Sequence, residues 1–244
     1  MLKQKCLFVF NSFFLLSIML QSAVAGVVAD RSRIIFAASQ REQGLSLMNT
    51  NEYPVVMQLW VDEGDVNSGP DIANAPILPH PGLLHFSPKE HKHISLVNIS
   101  KHAPEKQEQV YWLNLYEVPP SPSTNIDIKK GQLLIVTMRT QMKVFIRPEK
   151  LAIEPNEIAK YQKFSFEGDS INIENDTPYF VTYKNISINI NGVESSIYNG
   201  MISPYSVEKT LIKDVGSSNK YLAIINAEYI DDDGNFQKFS SHFY

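Results

Sequence analysis

The chain has 244 residues, of which 43% are hydrophobic and 20% charged, and its formal net charge is −4 at pH 7. A mildly acidic protein without a long run of lysine or arginine is a poor candidate for binding nucleic acid. Its single cysteine, Cys6, excludes a disulfide within the chain.

The first 25 residues have the three parts of a secretory signal peptide. The basic start MLKQK precedes the apolar run CLFVFNSFFLLSIML, and the small residues of QSAVA end at Ala25. An uncleaved membrane anchor is the alternative, but this run of about 15 residues is shorter than the roughly 20 that a spanning helix needs. We expect cleavage after Ala25, which makes Gly26 the first residue. The mature chain then has no thiol and a formal charge of −6, because two of the 22 basic residues leave and all 26 acidic residues stay.

Beyond the signal, short apolar segments alternate with turns rich in Asn, Asp, Gly and Pro. Six extended segments are predicted before Pro148: Arg33–Ala38, Gly44–Thr50, Tyr53–Glu63, His93–Ile99, Gln109–Val118 and Gln132–Ile146. Six more follow: Lys163–Gly168, Ser170–Asn175, Tyr179–Ile190, Val207–Ile212, Lys220–Ile230 and Asn235–Phe243. No amphipathic helix of three turns interrupts them. The pattern predicts an all-β protein built from immunoglobulin-like β-sandwiches.

The segment RPEKLAIEPNE separates the two series of strands. Two prolines flanked by charged residues are typical of a short, stiff linker. We place the domain boundary near Arg147–Pro148, which predicts an N-terminal domain of residues 26–147 and a C-terminal domain of residues 148–244.

Motifs for catalysis or metal binding are weak. Five histidines fall within 23 residues: His80, His85, His91, His93 and His102. No pair has the spacing of a zinc site with a third ligand in view, so we interpret them as surface or loop residues. The acidic segment DDDGN, Asp231–Asn235, lacks the spaced oxygens of a calcium loop and predicts a hairpin turn. We expect no enzyme activity, no metal and no cofactor.

The segment GQLLIVTMRTQ is apolar on both faces of a strand. Leu134, Val136 and Met138 alternate on one face, and Leu133 and Ile135 lie on the other. Such a strand either lies at the centre of a sandwich or exposes an apolar row at a sheet edge, where it can add itself to a partner. The pattern leaves both readings open.

Three cations lie in or beside apolar strands. Lys143 and Arg147 belong to QMKVFIRP, and Arg33 directly precedes the apolar residues IIF. If the first and last strands of the N-terminal domain are neighbours, Arg33 and Lys143 meet. Their charges then repel unless an anion, such as a carboxylate, binds between them. Ion pairs within the chain are the alternative.

Five segments, in chain order, resemble those of the periplasmic pilus chaperones of the chaperone–usher pathway: DRSRIIF, YWLNLYEVPP, MKVFIRP, LAIEPNE and INIENDTPYFVT. The resemblance covers essentially the whole mature chain. It implies two immunoglobulin-like domains arranged in an L shape, no catalysis and a location in the periplasm. It also implies a chaperone that binds, folds and caps pilus subunits and delivers them to an outer-membrane usher. A secreted two-domain adhesin or structural module is the alternative.

The resemblance assigns a role to each candidate residue of the binding site. Leu134, Val136 and Met138 match the row on the G1 strand, the last strand of the N-terminal domain, that fills the groove of an incomplete subunit. Arg33 and Lys143 match the residues that bind the subunit's C-terminal carboxylate. The free chaperone is expected to be capable of self-association through the same strand edge.

The resemblance also implies a salt bridge between the domains. Arg147 matches the arginine that joins them, and Glu108 matches its partner in the N-terminal domain. Glu228 and Asp231 are both candidates for the acid of the C-terminal domain, and the sequence does not choose between them. The loop before the G1 strand is longer than in short-loop members and lacks the disulfide of long-loop members, which leaves the subclass and the pilus type open.

Overall fold

The computed structural model of the protein describes residues 26–101, 104–120, 136–212 and 223–243. The signal segment and Leu134 lie outside these ranges. Nine strands lie in the N-terminal part: β1 (Val27–Ala29), β2 (Arg33–Ala37), β3 (Glu42–Asn49), β4 (Val55–Asp62), β5 (Ile77–His80), β6 (Leu83–Phe86), β7 (His91–Asn98), β8 (Gln109–Val118) and β9 (Met138–Arg147). A 3-10 helix, Pro155–Tyr161, then precedes seven strands: β10 (Gln162–Glu167), β11 (Ser170–Asn175), β12 (Val181–Ile190), β13 (Val193–Ile202), β14 (Ser206–Leu211), β15 (Ile224–Ile230) and β16 (Phe236–His242).

The N-terminal domain is a sandwich of two sheets. One sheet has the strand order β1-β3-β7-β5 and the other β2-β9-β8-β4-β6. Side chains alternate between the two faces of a strand, so every second residue enters the layer between the sheets. This core contains the following buried residues: Ile34, Phe36, Leu45, Leu47, Met57, Leu96, Leu113, Val144 and Ile146.

The C-terminal domain is a second sandwich, with the strand orders β10-β11-β14 and β13-β12-β15-β16. It has its own core, which includes Phe164, Ile171, Ile173, Tyr183, Ile186, Ile188 and Ile225. The prediction of an all-β chain with two sandwich domains is confirmed. β9 ends at Arg147 and β10 begins at Gln162, and the boundary near Arg147–Pro148 stays a prediction. No helix within the described residues is long and apolar enough to cross a membrane.

β9 has different neighbours along its two halves. It pairs antiparallel with β8 from Met138 to Ile146, but it pairs parallel with β2 only from Lys143 to Arg147. Among the described residues, the first half of β9, Met138–Met142, therefore lies at an edge of the sheet, and we call this segment the free edge. Strand edges with unpaired backbone groups are templates for pairing with another chain.

Candidate functional site

The apolar row of β9 runs from the core out to the surface. Met142, Val144 and Ile146 are buried in the core. Val136 and Met138 continue this row of alternate residues toward the start of the strand, yet they are 67% and 46% exposed. Apolar side chains left exposed beside an unpaired backbone edge are typical of a surface that another chain covers.

The opposite face of the free edge is held by Arg139. Its Nε donates to Asn114 Oδ1 at 2.8 Å, and its Nη1 donates to the carbonyls of Val66 at 2.7 Å and Ser68 at 3.0 Å. The guanidinium also stacks 4.8 Å from the ring centre of Trp60. These contacts tie the free edge to the loop after β4 and to the middle of the sheet, while the apolar row stays available.

Arg33 and Lys143 are directly opposite each other in the register of β2 and β9. Arg33 is buried, with 9% of its surface exposed, and its Nη1 donates to the carbonyl of Ile230 at 3.1 Å. Its buried Nε has no hydrogen-bond partner in the part of the chain that the structure describes. Lys143 Nζ donates to Thr182 Oγ1 at 3.1 Å. Among the described residues, no carboxylate lies within 4.0 Å of either cation.

The like charges of Arg33 and Lys143 repel each other. Burial, and then the charge of Arg33, lowers the pKa of Lys143. Burial also lowers the pKa of Arg33, although the charges of Asp232, Asp231 and Glu108 act against it. A carboxylate bound between them would relieve this repulsion through charge-assisted hydrogen bonds. The internal ion pairs that were the alternative for Arg33 and Lys143 are not found among the described residues.

Arg147 joins the two domains. Its Nε donates to Glu108 Oε1 at 2.7 Å, and its two terminal nitrogens donate to the carboxylate of Asp232 at 2.5 and 2.7 Å. The guanidinium lies 4.9 Å from the ring centre of Tyr179. Burial acts to lower the pKa of Arg147, but the hydrogen bonds and charges of Asp232 and Glu108 outweigh it and raise the pKa.

Glu108 also makes two hydrogen bonds to backbone groups of the C-terminal domain. Its carboxylate accepts from the amide of Phe180 at 2.9 Å, and its own amide donates to the carbonyl of Pro178 at 2.9 Å. Burial raises the pKa of Glu108, and Arg147 partly offsets this effect. A cleft of about 300 Å³ lies between the domains here, with Arg33, Glu108 and Arg147 on one side and Tyr179 and Asp232 on the other.

Comparison with known protein families identifies the family of this chain. Residues 26–152 match the model of the pili and flagellar-assembly chaperone, PapD N-terminal domain, and residues 157–241 match that of the pili assembly chaperone PapD, C-terminal domain. The chain belongs to the pilus-assembly chaperone family. The resemblance seen in the five sequence segments is confirmed, and the adhesin alternative is not supported.

Curated relatives agree with this assignment. The chaperone is 30% identical over 192 residues to the probable fimbrial chaperone YadV of Escherichia coli K12, which covers 77% of this chain and 78% of YadV. It is 25% identical over 227 residues to the chaperone protein HifB of Haemophilus influenzae, which covers 93% of each chain.

Solved structures share the fold. The crystal structure of the YadV chaperone is 25% identical and matches with a TM-score of 0.75 over 89% of this chain and 99% of that one. The Salmonella enterica structure of the SafA pilin in complex with the SafB chaperone matches with a TM-score of 0.74 at 20% identity, over 91% of this chain and 99% of that one. The two-domain immunoglobulin-like architecture is therefore the architecture of such chaperones.

One sequence prediction within the site needs correction. The acid of the C-terminal domain that meets Arg147 is Asp232, and neither Glu228 nor Asp231 takes this place. Glu228 instead pairs with Lys184 at 3.0 Å and lies at 3.6 Å from Lys238, its register partner on β16.

The carboxylate of Asp231 forms hydrogen bonds within the hairpin turn. Its side chain accepts from the amides of Asp233 and Asn235 and from the side-chain amide of Gln237. The interpretation of Asp231–Asn235 as an acidic hairpin turn is confirmed, since the turn joins β15 to β16. Asp231 is thus engaged within the turn, and the next residue, Asp232, faces the N-terminal domain and pairs with Arg147.

Proposed function

We propose that this chaperone binds pilus subunits in the periplasm by donating the free edge of β9, with Val136 and Met138, and Leu134 before them, as the apolar row. Arg33 and Lys143 bind the C-terminal carboxylate of the subunit. The observation that carries the proposal is that one strand holds both parts: a free edge at Met138–Met142 and a cation at Lys143 that has no acidic partner among the described residues.

The spacing along β9 gives this arrangement its specificity. Lys143 lies seven residues after Val136, which corresponds to about 23 Å at roughly 3.3 Å per residue. A carboxylate fixed at Lys143 thus determines which side chain of the row meets which pocket of the subunit. Main-chain hydrogen bonds tolerate any register shift of two residues, so the anchor is what selects one register.

The energetics favour capture of an incomplete sandwich. Complete burial of a valine or methionine side chain contributes about 1.5–3 kcal/mol. The row on β9 lies partly in water in the free chaperone, so a subunit groove that covers it gains this free energy. A strand of the next subunit that fills the same groove replaces β9, and the exchange needs no nucleotide and no cofactor.

Export and delivery complete the proposal. Residues 1–25 act as a cleaved signal, the mature chain begins at Gly26, and the loaded chaperone delivers its subunit to an outer-membrane usher. The protein has no catalytic role. The interdomain bridge through Glu108, Arg147 and Asp232 holds the cleft in the shape that presents the anchor.

Charge-removing variants test the anchor. Lys143→Met and Arg33→Met keep an apolar stem but remove the charge, and each should reduce recovery of the cognate subunit from the periplasm at least tenfold. Arg41→Met is the matched control, because Arg41 is exposed and, among the described residues, its guanidinium makes one hydrogen bond, to the Ser100 carbonyl at 3.3 Å. Circular dichroism must show all three variants folded. Recovery equal to the wild type from both anchor variants would contradict the proposal.

A further inference from the structure

The carboxylate of Glu117 is buried near the start of the mature chain without a cationic partner in the described residues. Glu117 lies on β8, is 7% exposed and is opposite Met138 in the register with β9. Its Oε2 accepts from the amide of Val27 at 2.9 Å, and its Oε1 accepts from Asn51 Nδ2 at 2.8 Å. Within the ranges that the structure describes, no Lys, Arg or His nitrogen lies within 4.0 Å of it.

Burying a carboxylate without a cationic partner costs free energy. Hydrogen bonds from neutral donors satisfy its oxygens but leave its charge uncompensated, and buried charges in proteins are normally paired. The nearby cation Lys89 does not serve, because its Nζ pairs with Glu52 at 2.8 Å and donates to the Thr50 carbonyl. A positive group is therefore expected close to Glu117.

Gly26 lies beside this carboxylate, and both its nitrogen and its carbonyl oxygen are hydrogen-bonded. Its nitrogen donates to Asn51 Oδ1 at 2.9 Å, and its carbonyl accepts from the amide of Thr50 at 2.9 Å and from Thr50 Oγ1 at 2.7 Å. Glu117 Oε2 lies 3.4 Å from the point that a Cβ on Gly26 would occupy. The Gly26 nitrogen is thus in the same buried polar cluster as Glu117 and Asn51.

We propose that Asn51 and Glu117 form a binding site for the α-ammonium group of Gly26 that signal cleavage creates. The ammonium donates to Asn51 Oδ1 and supplies the counter-charge of Glu117. This site rests on the proposed cleavage after Ala25. A peptide amide at Gly26 can make the same hydrogen bond but carries no charge, so a chain that keeps residues before Gly26 leaves the Glu117 charge uncompensated.

The site also bears on the free edge of β9. A Cβ on Gly26 would come within 2.7 Å of Met138 Cε, so the backbone at Gly26 packs closely against this side chain of the apolar row. Seating the ammonium therefore ties the start of β1 to the flank of the strand that meets the subunit.

A double-mutant cycle between the chain terminus and Glu117 tests the proposal. The mature protein is released from a cleavable carrier so that it begins at Gly26, and a second form begins one residue earlier with the natural Ala25. Both forms are made with Glu117 and with Glu117→Gln, and their folding constants are measured in urea at pH 6.5. An α-amino group with an ordinary pKa of about 7.7–8.0 is mostly protonated at that pH.

We expect the extra residue to lower the folding constant roughly tenfold or more with Glu117 present, since a buried charge loses its partner. With Glu117→Gln the same extension should change it less than about threefold, because no charge remains to compensate. Glu52→Gln, at an exposed acid in the neighbouring loop, should leave the effect of the extension unchanged. Equal effects of the extension with Glu117 and with Glu117→Gln would overturn the proposal.

Two further results separate this site from the proposed function. The intact mass of the exported protein gives its first residue, and any start other than Gly26 would overturn the proposal even if the chaperone captured subunits normally. The cycle itself needs no subunit. Coupling between Gly26 and Glu117 in a protein that fails to bind subunits would support the ammonium site and contradict strand donation.

Discussion

Removal of Arg147 should destabilise the chaperone strongly, because it leaves the charge of Glu108 buried. The Glu108 side chain is 2% exposed and that of Arg147 is 16% exposed, whereas Asp232 is 41% exposed. Loss of one partner from a buried ion pair costs about 3–5 kcal/mol. An exposed pair contributes about 0–1 kcal/mol. We therefore expect Arg147→Met to cost several times more than Asp232→Asn.

The pH dependence of this loss has a definite sign. Burial raises the pKa of Glu108 above its ordinary value of 4.5, and the charge and hydrogen bond of Arg147 lower it. Without Arg147 the pKa in the folded state rises further. A raised carboxyl pKa contributes stability that is present below the unfolded-state pKa and is lost as the pH rises through the folded-state pKa. The cost of Arg147→Met should thus be smaller at pH 5.0 than at pH 7.5.

Urea unfolding at the two pH values measures both effects. Arg41→Met serves as the control, since Arg41 is exposed, and it should change the free energy of unfolding by less than about 0.5 kcal/mol. A cost for Arg147→Met below about 1 kcal/mol would refute the reasoning, because it would mean that Glu108 is not held as a buried charge. A cost that is the same at both pH values would refute it as well.

Two further substitutions probe the free edge and the contact between the domains. Val136→Asp should leave the free energy of unfolding within about 0.5 kcal/mol of the wild type, because the side chain is 67% exposed, yet it should abolish subunit capture by placing a charge in an apolar groove. Undiminished capture in a pull-down would exclude Val136 from the row. Gly234→Ala should destabilise the chaperone by about 1–3 kcal/mol, because Gly234 has φ of +85° and its Cβ would collide with Ser32 Oγ. Urea unfolding of Gly234→Ala with Ser32→Gly should recover part of this loss, and no recovery would show that the collision does not contribute.

The sequence predicts much of the site because its parts follow from strand periodicity. The alternation that places Val136 and Met138 on one face is visible in the chain, and it continues into the buried residues of β9. The meeting of Arg33 and Lys143 requires that the strand holding Arg33 lie beside the last strand of the domain, and β2 and β9 are neighbours with these two residues in register. Leu134, the third member of the predicted row, lies outside the described residues.

The remaining parts depend on geometry that periodicity does not specify. Three consecutive aspartates follow β15, and periodicity does not tell which of them faces Arg147. The structure places Asp232 there, while hydrogen bonds within the turn engage Asp231. The pairing of Glu228 with Lys238 follows from the register of that hairpin, and this register was the available signal against Glu228. Arg139 gave no such signal, because its partners are Asn114 and Asp62 on neighbouring strands and backbone carbonyls of the loop after β4, which meet only in the folded sheet.

Strand donation by β9 is the central claim, and hydrogen–deuterium exchange on the chaperone alone and in complex with its subunit tests it most directly. β2 covers β9 only from Lys143 onward, so the backbone amides of residues 138–142 that point away from β8 have no partner strand in the free protein among the described residues. We predict that these amides become strongly protected in the complex, while those of β16 in the C-terminal domain stay unchanged. Unchanged exchange across residues 138–142, with protection elsewhere, would contradict donation of this strand.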